Sequence, residues 1–254
     1  MELKFEGQSA VVTGGASGIG RTIAQELARA GCRVVIADVS SAGETLAASW
    51  RTEGLDVTFA LTDVARWEDC ERLQDLVDRG YGGLDVLVNS AGIFPRGTLF
   101  DTDDALWDRI LDVNLKGMFH TAKALVPFMM SRGAGAIVNI GSVNVFGGEN
   151  RLMAYTASKG GVVSLTLNLA RSLARHHIRV NCVHPGWVVT EGERKVQRDL
   201  GMPDDWPARE GAKMPFGRLL TPGDIAPTVL FLSSPLASQI TGQVISVDGG
   251  ALLR

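Results

Sequence analysis

The sequence predicts an α/β protein built on a doubly wound parallel sheet, and three observations carry that prediction. Short β-branched runs recur along the chain, amphipathic helical stretches separate them, and a glycine cluster marks the first strand-to-helix junction. With 254 residues, 45% of them hydrophobic and 21% charged, the chain has enough apolar material for one large core.

Strand signals fall at residues 10–12, 33–37, 57–61, 86–88, 136–140, 179–183 and 244–247. Behind the first of them, Ile19, Ile23, Leu27 and Ala30 recur at helical steps, and Gly31 stops that helix as a C-terminal glycine does. From Trp187 to Thr221 the strand signal fails while Gly, Pro and charge abound. That stretch is expected to be a functional lid or flexible loop at the carboxyl end of a strand, where open α/β sheets bind ligands. With no repeat or linker, residues 1–254 are expected to form one domain carrying a lid at about 187–221.

Twenty-five Lys and Arg against 28 Asp and Glu leave a net charge of −3, too balanced for nucleic acid or an acidic membrane surface as the main partner. Cys32, Cys70 and Cys182 are scattered without metal-site spacing, and the opening MELKFEGQ has no apolar signal core, so a reducing, cytoplasmic setting is expected. No stretch approaches the ~18 uninterrupted apolar residues of a membrane helix.

The stretch TGGASGIG, residues 13–20, joins the first strand to the first helix. Gly14, Gly18 and Gly20 let backbone approach a ligand, and the helix would aim its unpaired amides and positive end at an anion such as pyrophosphate. A purely structural turn also accounts for the glycines, and their GxxxGxG spacing departs from the better known GxGxxG. Asp38 closes the second strand about twenty residues on, where a carboxylate accepts hydrogen bonds from an adenosine ribose and repels a 2′-phosphate. Ser17 and Val39 flank that position without supplying a cation, so NAD is expected over NADP. Asp63 with Val64, expected toward the adenine, and the loop Asn89 to Gly92, expected beside a cofactor ribose, end two more strands on the same edge.

Tyr155 and Lys159 stand four apart in a strongly helical stretch and face the same way. A phenol with an ordinary pKa near ~10 has its anion favoured by a neighbouring ammonium. Ser142, thirteen residues earlier, ends the strand AIVNIGS at the ligand edge, where its hydroxyl would polarise a substrate oxygen. Together the glycine turn, Asp38, the Asn89 to Gly92 loop, Asn114, Ser142 and the Tyr155 to Lys159 spacing resemble the classical short-chain dehydrogenase/reductase family over essentially the full chain.

The resemblance implies a single-domain Rossmann fold of about seven strands and an assignment of roles. Tyr155 would exchange the alcohol proton, Lys159 would hold the nicotinamide ribose and favour the tyrosinate, Ser142 would orient the substrate oxygen, and Asn114 would keep a helix and a relay water in place. Hydride would pass directly between the substrate carbon and nicotinamide C4. Cofactor contacts are expected from Gly14, Ser17, Gly18, Ile19, Gly20, Asp38, Val39, Asp63, Val64, Asn89, Ala91, Gly92, Tyr155, Lys159, Pro185, Gly186, the Val188 amide and the Thr190 hydroxyl. Two departures, Ser90 in place of a second Asn and Gly141 before the serine, touch only loop hydrogen bonding.

For the substrate, Asn144, Arg151, Trp187 and Arg96 are the expected contacts. Trp187 would either lie against the C–H face of a sugar ring or pack into the core, and Arg151, lying between Ser142 and Tyr155, is placed first among the arginines for an anionic group. The polar lid points to a small polar alcohol or its ketone: a sugar or polyol first, a hydroxy acid close behind. A 3-oxoacyl-thioester reductase and a non-catalytic NAD-sensing regulator are the alternatives. The resemblance further implies a homotetramer, with Val162, Val163 and Leu167 facing either a symmetry mate or the sheet.

Overall fold

The computed structural model describes residues 3–253. Seven parallel strands form one sheet: β1 (Ser9–Thr13), β2 (Arg33–Asp38), β3 (Val57–Leu61), β4 (Val86–Asn89), β5 (Gly135–Ile140), β6 (Ile178–Pro185) and β7 (Val244–Val247). Their order is β3-β2-β1-β4-β5-β6-β7, so the chain reverses direction across the sheet between β1 and β4. Outside the carboxyl ends of the strands at such a switch point, open sheets have their ligand crevice.

Helices α1 (Gly18–Arg29), α2 (Ala42–Thr52), α3 (Trp67–Tyr81), α4 (Asp104–Leu111), α5 (Gly117–Arg132), the one-turn α6 (Asn144–Gly147), α7 (Met153–Leu173), α8 (Glu191–Asp199), α9 (Trp206–Gly211) and α10 (Pro222–Ser233) complete the fold. The period of two in the strands sorts their side chains onto two cores. Ala10, Val12, Val34 and Ile36 pack with Ile23 and Leu27 of α1 and Ile225 and Val229 of α10. Val11, Val35 and Leu87 pack on the opposite face with Leu73 and Val77 of α3 and Leu125 and Met129 of α5. Burial on both faces is why the strands read as continuous apolar runs rather than alternating ones.

Helix α1 ends as the sequence predicts: Ala30 caps it and Gly31 follows at φ 90°, a left-handed position that favours glycine. The predicted lid is not a loop. It holds α8 and α9, tied back by a short parallel bridge between Val188 and Leu220. Thr190 starts α8 by accepting the Glu193 N–H at 3.1 Å, a cap hidden in a stretch too short and too polar to show an apolar period. Between α4 and α5 the helix widens into one π-turn, Asp112–Lys116, which carries Asn114. Val162 faces the sheet, fully buried, whereas Leu167 is exposed. Among the described residues no helix is long and apolar enough to cross a membrane.

Candidate active site

A cavity of about 1170 Å³ opens along the carboxyl edge of the sheet, running from Asp38 past Tyr155 to the lid. At one end the turn of residues 13–20 is pinned from within. Thr13 Oγ1 accepts both the Ser90 and Ala91 N–H groups at 3.1 Å, and a Cβ on Gly14 (φ 64°) would stand 2.8 Å from the Ala91 Cα. A Cβ on Gly20 would strike the Gly14 carbonyl oxygen. These two glycines serve close packing of turn against helix and neighbouring loop and also line the cavity, together with Ser17 and Ile19 at the start of α1. Ser17 caps α1 without a side-chain hydrogen bond to the helix, so its hydroxyl is not spent there.

Gly18 does not line the cavity: its N–H donates to Glu191 Oε2 at 3.2 Å, and Glu191 Oε1 pairs with Arg21 at 2.6 Å. A lid carboxylate thus sits at the positive end of α1, a position sequence spacing could not reveal. Asp38 is buried at the end of β2 and accepts the Ala16 and Ser40 N–H groups at 3.0 and 2.9 Å, while Val39 beside it is exposed. Asp63, Val64, Ala91 and Gly92 line the same end; Pro185, Gly186, Val188 and Thr190 line the middle.

Two expected positions lie behind the wall. Asn89 is buried in a network in which its side chain donates to Asn139 at 2.9 Å and accepts from Thr121 at 2.7 Å, joining β4, β5 and α5. Asn114, fully buried, accepts the Ile93 N–H at 2.8 Å and donates to the Ile93 carbonyl at 2.9 Å and to Ser158 at 3.1 Å. It clamps the 93–96 loop to α7. With every one of these side-chain bonds inside the protein, Asn89 and Asn114 position the site's wall and are not surfaces of it. The strand and π-turn that carry them were legible, but the direction of their side chains was not.

Ser142, Tyr155 and Lys159 converge on the cavity from β5's end and from α7. Lys159 is buried; its Nζ donates to the Ile140 carbonyl at 2.7 Å and lies 5.7 Å from the Tyr155 ring centre. Burial lowers its pKa to about 8. For Tyr155, burial pushes the phenol above its ordinary value, against a hydrogen bond with Ser142 and the charge of Arg96, while Glu193 adds to the rise. Ser142 and Arg96 are thus the neighbours that favour the tyrosinate against burial. Phe94 meets the Tyr155 ring edge-on at 6.4 Å.

Gly141, the departure noted before the serine, has a specific neighbour. A Cβ there would overlap the imidazole of His184, which is fully buried, packs on Phe146 at 5.5 Å and has no hydrogen-bond partner on either nitrogen among the described residues.

At the lid end, Asn144, Arg151, Trp187 and Arg96 all line the cavity as expected, but their order changes. Arg151 is exposed, whereas Arg96 has only 19% of its side chain exposed and lies between Glu149 at 3.3 Å and Glu193 at 3.6 Å. Trp187 stacks on the buried Trp206 at 5.4 Å and donates its indole N–H to Glu193 at 2.8 Å. Glu193 and Gln197, one turn apart on one face of α8, are lining residues that sequence reasoning missed; the i, i+4 spacing was their one available signal.

A doubly wound sheet whose carboxyl edge gathers a serine, a tyrosine and a lysine beside a glycine turn defines a dehydrogenase class of α/β enzymes. A family profile described as "Enoyl-(Acyl carrier protein) reductase" matches residues 14–251. The chain belongs to the classical short-chain dehydrogenase/reductase family and is an oxidoreductase. It is 38% identical to a cis-4-hydroxycyclohexanecarboxylate dehydrogenase of Sinomonas cyclohexanicum, covering 97% of each chain. It is 37% identical to a galactitol 2-dehydrogenase (L-tagatose-forming) of Cereibacter sphaeroides, covering 97% of this chain and 96% of that one. A solved structure from Beutenbergia cavernae, a candidate NAD(P) dependent gluconate 5-dehydrogenase with NADP bound at low occupancy, superposes with a TM-score of 0.91 at 35% identity over 100% of both chains.

Proposed function

We propose that this protein is an NAD-dependent dehydrogenase of small polar secondary alcohols, acting on a sugar, polyol or hydroxy acid with Tyr155 as the general acid/base. The observation that carries the reading is the meeting of Ser142, Tyr155 and Lys159 on one wall of a cavity whose far end is lined by polar and charged side chains.

The residues present fit a dinucleotide. The helix N-terminus with its unspent Ser17 hydroxyl suits phosphates, buried Asp38 suits a ribose diol, and the Val188 amide donates to no acceptor among the described residues. Absence of a cation at Ser17 or Val39 favours NAD, as does Asp38, whose two amide contacts a 2′-phosphate would have to displace; NADP is the competing outcome, because the similar Beutenbergia cavernae structure holds NADP. A bound nicotinamide supplies the hydride acceptor at its C4.

The chain's own residues handle the proton. Ser142 donates to the substrate oxygen and orients it toward Tyr155. Tyr155 Oη removes the hydroxyl proton in oxidation and returns it in reduction. Lys159, anchored on the Ile140 carbonyl, supplies a fixed positive charge beneath the phenol and a donor for the nicotinamide ribose. Asn114 acts through the 93–96 loop and Ser158. The groove of Leu111, Leu115, Phe119 and Leu165, edged by Asp108, Asp112 and Lys116, offers an apolar surface that a second copy would cover in a homotetramer.

The test follows absorbance of the reduced nicotinamide band with NAD or NADP and a panel of polyols, aldoses, hydroxy acids and 3-hydroxyacyl thioesters. A rise with NAD and a polar alcohol is expected, and Tyr155→Phe should lose at least ~10³-fold in kcat while still binding cofactor, in line with loss of a general acid/base. Turnover of thioesters alone would favour the acyl reductase reading suggested by the matched profile's description. Unchanged turnover in Tyr155→Phe would remove the tyrosine from the mechanism.

A further inference from the structure

We propose that Glu193 is the substrate-specificity determinant of this site and that, with Arg96, it selects a neutral polyol over an anionic hydroxy acid; the inference rests on the dehydrogenase reading above and narrows it. Glu193 is a carboxylate 6% exposed in the cavity wall, close enough to Tyr155 to act on its titration. Its Oε1 is fully engaged: the Trp187 indole donates to it at 2.8 Å, Gln197 Nε2 at 2.7 Å, and Arg96 Nη2 lies at 3.6 Å. Those contacts fix the side chain. Oε2 accepts no hydrogen bond from any described residue and is not closed off from solvent, so it is an acceptor left open in the cavity wall, and the group that fits against it is a donor.

Arg96 supplies the complementary half. Its guanidinium faces two carboxylates, Glu193 and Glu149, so its charge is already matched, while its remaining N–H groups can donate to a hydroxyl oxygen. A fixed acceptor beside a fixed donor fits adjacent hydroxyls, each of which gives one hydrogen bond and takes another. A substrate carboxylate in the same place brings two acceptors and a negative charge against Glu193, next to a cation that is already compensated. It would be rejected by repulsion and by an unmet acceptor.

The experiment compares galactitol and glucitol with gluconate and galactonate. It uses the cofactor that supports turnover and reads kcat/KM for the wild-type protein, Glu193→Gln and Glu149→Gln. Binding is read independently as tryptophan fluorescence quenching by the same compounds in the presence of reduced cofactor, where no oxidation occurs. The wild-type enzyme is expected to prefer the polyols at least tenfold in both readouts. Glu193→Gln should cut the ratio of polyol to aldonate at least tenfold, with the aldonate gaining in absolute terms. Glu149→Gln changes an exposed position outside the packed lid, and by freeing one edge of Arg96 it should raise aldonate kcat/KM at least threefold.

A wild-type preference for aldonates overturns the proposal. So does an equal loss for both classes in Glu193→Gln, the signature of a carboxylate that only braces the lid, or an unmoved aldonate rate in Glu149→Gln. If no alcohol is oxidised with either cofactor, the dehydrogenase reading fails by itself. The fluorescence titration then still decides whether the pocket prefers neutral or anionic compounds.

Discussion

Replacing His184 by leucine should remove an acid sensitivity that is built into the core behind Gly141. The imidazole is fully buried, and neither nitrogen has a protein partner among the described residues. Burial, and then the nearby Lys159 charge, lower its pKa to about 4. In the unfolded chain the same group titrates near ~6.5. Between those values the unfolded state binds a proton that the folded state refuses, so stability falls as pH drops through that window and is intact above it. The slope from this one group is about 1.4 kcal/mol per pH unit, and the whole window amounts to about 3 kcal/mol. Urea denaturation followed by tryptophan fluorescence, at one protein concentration and at pH 7.5, 6.5 and 5.0, measures it. Carboxylate titrations common to both proteins cancel in the difference between wild type and His184→Leu. That difference should shift by about 2 kcal/mol in favour of the variant between pH 6.5 and 5.0. A flat difference would refute the reasoning, since it would mean that the folded protein accepts the proton at His184.

Three further outcomes follow from the same geometry. Gly141→Ala should destabilise the protein by about 1–3 kcal/mol because its Cβ collides with the His184 ring. A double-mutant cycle with His184→Ala should recover at least half of that loss; full additivity would show that the ring is not the obstacle. Asp38→Ala should lower the kcat/KM preference for NAD over NADP at least tenfold, and a variant that rejects NADP as strongly as the wild type would remove Asp38 from ribose selection. Glu191→Gln takes a negative charge from the start of α1, where phosphates are expected. Cofactor Kd, read by fluorescence titration, should fall about two- to fivefold, from the ~0.3–1 kcal/mol of an anion at a helix terminus, and a rise would show that the carboxylate assists binding.

Particular residues show what could be read early. All seven strands lie within two residues of the runs read from the sequence, because a parallel sheet covered on both faces demands continuous β-branched segments that local composition reveals. Tyr155 and Lys159 face one way because four residues make about one helical turn, and Ser142 falls at the ligand edge because it closes a strand. The sequence leaves the stretch as a lid or flexible loop, without its helices, because α8 is short and its buried members, Glu193 and Gln197, are polar; nothing in an apolar pattern marks them.

The sequence by itself determined the sheet through periodicity, the Tyr155 and Lys159 pair through spacing within one helix, Ser142 through its place at a strand end, and the family through the resemblance of these motifs taken together. Only the tertiary structure decided that Asn89 and Asn114 turn inward to satisfy buried backbone and side chains, that Arg96 rather than Arg151 sits close to Tyr155, and that Gly141 makes room for His184. It also decided that Glu193 turns an oxygen without a hydrogen bond from any described residue toward the cavity. The physical reason is common to all four: a side chain's partner is set by which distant segments the fold brings within a few ångströms, and desolvation then fixes whether that partner must be a donor, an acceptor or a charge.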